Sequence, residues 1–152
     1  MNNQFLSTGK IVEANFAKTL SNHTYSTKKE DILEHWDVST QVKYDVKGLK
    51  KISRADLDVN ENIHWVELKN VNGDKGWLYG DADYFTFELI NYWIIVDKFV
   101  LQGYIAKNTV KKYKKVPTLN KLYRREGRQD VLTLVKSLDL IYISKELVKK
   151  ID

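Results

Sequence analysis

Glu67 and Lys69 stand two residues apart in IHWVELK, a run that alternates in the manner of a β-strand. Residues two apart on a strand share a face, so this carboxylate and ammonium project together while Val66 and Leu68 point into a core. Another acid, Asp45, lies on the preceding β-type run. There Lys43, Asp45 and Lys47 share a polar face, opposite Tyr44 and Val46. An acid and a lysine side by side, with a second acid on a neighbouring strand, can hold a divalent cation and position a water next to a phosphate. Phosphodiester hydrolysis needs those functions: an in-line nucleophile and charge neutralisation on the phosphoryl oxygens.

An aspartate on one strand followed by Glu-x-Lys on the next resembles the PD-(D/E)XK nuclease superfamily, which has the restriction-endonuclease-like fold. The matching pieces are Asp45 and Glu67-Leu68-Lys69, and the likeness spans residues 8–98. Tyr44, not proline, precedes Asp45. The resemblance implies an α/β fold, with a central mixed sheet (an antiparallel meander plus further strands) flanked by helices. It implies Mg2+ or Mn2+ held by Asp45, Glu67, the Leu68 carbonyl and Glu13, the last on a first helix. It makes Asp45, Glu67, Lys69 and Glu13 the catalytic set. DNA is the implied substrate, with 5′-phosphate and 3′-hydroxyl products. The small size suggests an enzyme directed at branched or nicked DNA, such as a phage or mobile-element resolvase. A homodimer is the simplest way to make paired cuts, although nothing in the sequence requires one.

A rival alignment makes Asp37 the leading acid and Asp45-Val46-Lys47 the second half, since Asp-x-Lys also fits the motif. It places both halves on one tight hairpin and leaves Glu67-Leu68-Lys69 without a role, so the first alignment is favoured. A third reading is a cross-strand salt-bridge ladder on an exposed sheet face.

The elements that must position these groups follow from periodicity. Residues 8–21 form an amphipathic helix, with Val12, Phe16 and Leu20 at four-residue spacing and Glu13 at the border of the stripe. Thr27 and Glu30 have capping-box spacing. Strands are expected at 35–39, 42–47 and 63–69 as a meander, with an irregular charged insert at 48–62 in which Lys50, Lys51 and Arg54 can reach phosphates. The turn-rich stretch 70–81 covers one end of the cleft. A helix at 82–89, a strand at 91–96, a helix at 99–106, a strand at 130–135 and a helix at 144–151 complete the reading. His35 and His64, each beside a tryptophan, are expected as cross-strand neighbours. Of the tryptophans, Trp77 is the one placed to stack on a base.

Composition bounds the rest. With 152 residues the chain makes one domain, 1–152, and 43% apolar with 30% charged residues is ordinary for a globular protein. The absence of cysteine excludes disulfides and thiolate zinc sites. No secretory signal and no apolar stretch long enough to span a bilayer is visible, so a soluble cytoplasmic protein without membrane association is expected. The net charge is +5, and between Lys98 and Arg128 ten basic residues face one acid, Glu126. Lys47, Lys111, Lys112, Lys114, Lys115, Arg124, Arg125 and Arg128 are the expected DNA contacts. The alternatives are a non-catalytic nucleic-acid-binding module that uses this basic C-terminal third, and a protein-binding inhibitor.

Overall fold

Strand β6 (Tyr92–Asp97) sets the layering of the molecule, because its side chains alternate between two separate cores. The computed structural model describes residues 4–53 and 56–152; Arg54 lies outside the described residues. Trp93 and Ile95 face a core shared with Phe16 and Ala17 of helix α1 (Gln4–Ala17). Ile94 and Val96 face the larger core, where Val66, Val135, Leu101 and Leu140 meet them.

The chain is mixed α/β, with two mixed sheets and four α-helices among the described residues. The first sheet has six strands in the order β1 (Thr24–Tyr25), β2 (Val38–Ser39), β3 (Lys43–Lys47), β5 (Tyr84–Glu88), β6 and β10 (Glu146–Lys149). Within it β3 and β5 run parallel and every other pair is antiparallel. The second sheet has four strands in the order β4 (Ile63–Lys69), β9 (Val131–Lys136), β8 (Lys121–Tyr123) and β7 (Val110–Lys114). Helix α1 packs on one face of the first sheet. The second sheet, with α3 (Lys98–Asn108) and α4 (Ser137–Ile143), packs on the other.

Several expectations hold. Thr27 and Glu30 close a capping box on α2 (Lys28–Glu34), β4 occupies residues 63–69, and Val66 with Leu68 enters the larger core. Tyr44 and Val46 face the α1 core, leaving Asp45 and Lys47 on the opposite side of β3. Others are corrected. Residues 82–89 do not form a helix: Phe85 and Phe87 alternate with Thr86 in β5, a central strand buried on both faces whose apolar pattern is therefore nearly continuous. Residues 144–151 carry strand β10, because Ser144 ends α4 by donating its hydroxyl to the Ile141 carbonyl. The expected meander of residues 35–39, 42–47 and 63–69 does not form, since β3 and β4 belong to different sheets; the three sequential antiparallel strands are β1, β2 and β3. His35 is the left-handed cap of α2 and His64 lies on β4, so they are not cross-strand neighbours. Among the described residues, no helix is long and apolar enough to cross a membrane.

Candidate active site

Residues of β4, an edge strand of the second sheet, and of β3 in the first line a common cleft of about 1220 Å3. Glu13, Asp37, Asp45, Lys47 and Glu67 all line it. Three features set the first four on the wall of this cleft. Phe16 seats α1 by edge-on ring contacts with Tyr44 and Trp93, at centroid distances of 5.1 and 5.4 Å. This turns Glu13, 8% exposed, toward the strands. The β2–β3 hairpin sets Asp37 beside Asp45: the Asp37 N–H donates to the Tyr44 carbonyl, and the Val46 N–H donates to Asp37 Oδ2 at 2.7 Å. Lys47 follows two residues after Asp45 on the same face, with Nζ 2.7 Å from Asp45 Oδ1 and 4.4 Å from the Trp77 ring centroid.

The electrostatics of this group are unfavourable to its own negative charge. Asp45 is 2% exposed. Burial pushes its carboxyl up to about 7, Lys47 opposes the rise, and the neighbouring Asp37 adds to it. Burial also raises Asp37, against the Val46 N–H and Lys47. Glu13 is raised by burial and by the charge of Asp37, although Lys10 pairs with it at 3.0 Å. Asp45 Oδ2 is buried without a hydrogen-bond partner, a costly state for a carboxylate oxygen.

Among the described residues, no three acids or histidines form a ready-made cation cage. Magnesium does not need one, since it binds through one or two carboxylates, keeps several waters and takes the rest from phosphate. The adjacent Asp37 and Asp45 carboxylates and the orphaned Oδ2 fit such an ion.

The β4 residues are placed differently from the sequence expectation. Glu67 lines the cleft, and its Oε1 accepts the Trp77 N–H at 3.3 Å. A β-bulge falls between Glu67 and Lys69, where the register shifts against β9. A bulge breaks the two-residue alternation, and Lys69 is exposed and does not line the cleft. The Leu68 carbonyl accepts the Gly76 N–H at 2.9 Å. The structure thus gathers Glu13, Asp45 and Glu67 around the cleft, leaves out Lys69, and adds Asp37 and Lys47 to the acids.

Of the expected basic contacts, Lys47, Arg125 and Arg128 line the cleft. Arg125 is fastened to Asp130, and the Arg124 Nε–H donates to the Arg128 carbonyl at 3.3 Å. Lys111, Lys112 and Lys114 lie on β7, the outer edge of the second sheet, and Lys115 follows it. Trp77 is buried against Phe85 and meets the cleft only at its edge, whereas Trp65 and Tyr123 line the cleft half-buried. Alternation with the core-facing Val66 was the available signal for Trp65; nothing local marked Tyr123. No protein-family profile, characterised protein or solved structure matches this chain.

Proposed function

We propose that this chain is a metal-dependent DNA endonuclease of the PD-(D/E)XK type, in which Asp37 and Asp45-Val46-Lys47 form the signature. The observation that carries the reading is the buried Asp37–Asp45 carboxylate pair with the Lys47 ammonium 2.7 Å from Asp45, set in a cleft. A mixed sheet with α1 and its Glu13 packed against the hairpin is consistent with a restriction-endonuclease-like core. The favoured role passes from Glu67 and Lys69 to Asp37 and Lys47, and Glu67 becomes the residue that holds the Trp77 turn.

Asp37 and Asp45 would hold Mg2+ or Mn2+, with Glu13 reaching it directly or through water. The bound ion supplies charge neutralisation at the phosphate and a more acidic water. Lys47 carries a charge that orients the attacking water and balances the negative charge growing on the phosphoryl oxygens. Its side chain is a quarter exposed, so the ammonium reaches the cleft without leaving Asp45. Arg125 and Arg128 grip flanking phosphates, for which guanidinium forks are suited. The carboxylates repel the scissile phosphate on their own, so cleavage, not capture of the strand elsewhere in the cleft, depends on the cation. A homodimer would provide paired cuts.

The test is cleavage of supercoiled plasmid and of a branched junction in magnesium or manganese. Asp45→Asn and Lys47→Ala are expected to lose about a hundredfold or more, and Lys69→Ala to stay near the native rate. Loss in Glu67→Ala and Lys69→Ala with Lys47→Ala active would return the signature to β4. DNA binding without cutting by any variant or by the native chain would leave a non-catalytic binding module.

A further inference from the structure

We infer that the second sheet presents a stacking platform for an unpaired nucleotide, formed by Trp65 and Tyr123 in the same cleft as the carboxylates. The inference rests on the nuclease reading, insofar as the strand held there is the one to be cut. It names the substrate class as DNA with unpaired bases.

Trp65 and Glu67 share one face of β4, and Val66 takes the other face into the core. Across the sheet Glu67 stands opposite Leu132 of β9, and Leu132 stands opposite Tyr123 of β8. The Trp65 and Tyr123 rings are 5.6 Å apart at 40°, so they form one continuous aromatic surface. Both are half-buried and line the cleft, and neither belongs to either core cluster. Aromatic side chains packed only to fill an interior would sit against the core, as Trp93 and Trp36 do.

Charge identifies the occupant. Arg125 and Arg128 line the same cleft as the two rings, and Arg125 is held in place by Asp130. Cations that share a cleft with an aromatic surface suit the binding of single strands, with phosphates on the cations and bases on the rings. In a continuous duplex each base face is covered by its neighbours, so only an unpaired or splayed base can use such a surface. Frayed ends, flaps and junction arms supply one.

The test measures binding by fluorescence anisotropy of labelled DNA at low salt in EDTA, where no cutting occurs. The native chain is expected to bind a short single strand about tenfold or more tighter than a blunt duplex of the same sequence. Trp65→Ala and, separately, Tyr123→Ala are expected to weaken single-strand binding about tenfold while changing duplex binding less than about twofold. A thermal melt of each variant establishes that it is folded, and Trp65→Leu replaces Trp65→Ala if the latter is not. Equal binding of single strand and duplex, or folded variants that bind the single strand as the native chain does, overturns the inference. Because no metal is present, this outcome is separate from the fate of the nuclease reading. A chain that cuts plasmid yet shows no single-strand preference refutes the platform alone. One that prefers single strands but never cuts leaves the platform standing and removes the nuclease.

Discussion

Replacing Asp45 with asparagine should stabilise the metal-free protein while abolishing cleavage. Inside the fold the Asp45 carboxyl ionises at about 7 instead of 3.8. At about 1.36 kcal/mol per pH unit, charging it there costs about 4 kcal/mol more than in the unfolded chain. Because the folded value lies above the unfolded one, the sign is opposite to that of a salt-bridged acid. This group does not destabilise the fold below pH 3.8. Its cost grows as pH rises between the two values and is complete above about 7. Asparagine never ionises, so the variant escapes the cost. Part of the gain is offset because Lys47, a quarter exposed, loses its 2.7 Å partner and the amide needs donors and acceptors of its own. A net gain of about 1–3 kcal/mol near pH 8 is expected, seen as a Tm rise of about 2–10 °C. The assay is thermal unfolding followed by circular dichroism in EDTA, near pH 8 and again near pH 4. The gain should be large at the first pH and close to zero at the second. Magnesium should then raise the Tm of the native chain near pH 8 more than that of the variant, because a bound cation offsets the same cost of the buried charge. A variant less stable than the native chain near pH 8, or a gain that does not change with pH, would refute the reasoning.

His64 carries the opposite dependence. Burial lowers its pKa from 6.5 to about 4, and its Nε2 has no hydrogen-bond partner beside the Phe87 ring, 5.2 Å away. As pH falls through that window the unfolded chain takes up a proton that the folded one refuses, so stability drops. His64→Phe should flatten the loss in urea titrations across the window, and a variant as acid-sensitive as the native chain would contradict this. Gly76→Ala should destabilise by about 1–3 kcal/mol, because a Cβ there collides with the backbone carbonyl of Glu67 on β4, whose side chain holds the Trp77 turn. A native denaturation midpoint for this variant would show that the close approach is unimportant.

Much of the frame was legible from local pattern. The capping box of α2, the β4 run, the two faces of β3 and the existence of strand β6 each rest on neighbours a few residues away. Failures came where the period carried no information. β5 is buried on both faces and reads as an apolar block, so helix and strand look alike. At the C-terminus, Ser144 suits a helix start as well as a helix end, and pairing of β10 with β6 decides between them.

The sequence by itself determined the chemistry on offer: acids and lysines at strand spacing, no cysteine, and a basic C-terminal third. It contained both Asp37 with Asp45-Val46-Lys47 and Asp45 with Glu67-Leu68-Lys69, and the second was favoured because the first left Glu67-Leu68-Lys69 without a role. Tertiary structure alone decided which side chains meet. β3 pairs in parallel with β5, β4 pairs with β9 in another sheet, and a bulge separates Glu67 from Lys69. Strand partners and bulges are set by contacts between residues far apart in the chain. No window of sequence around Glu67 or Lys69 records them, whereas the Asp37–Asp45 hairpin closes within a few residues and could be read locally.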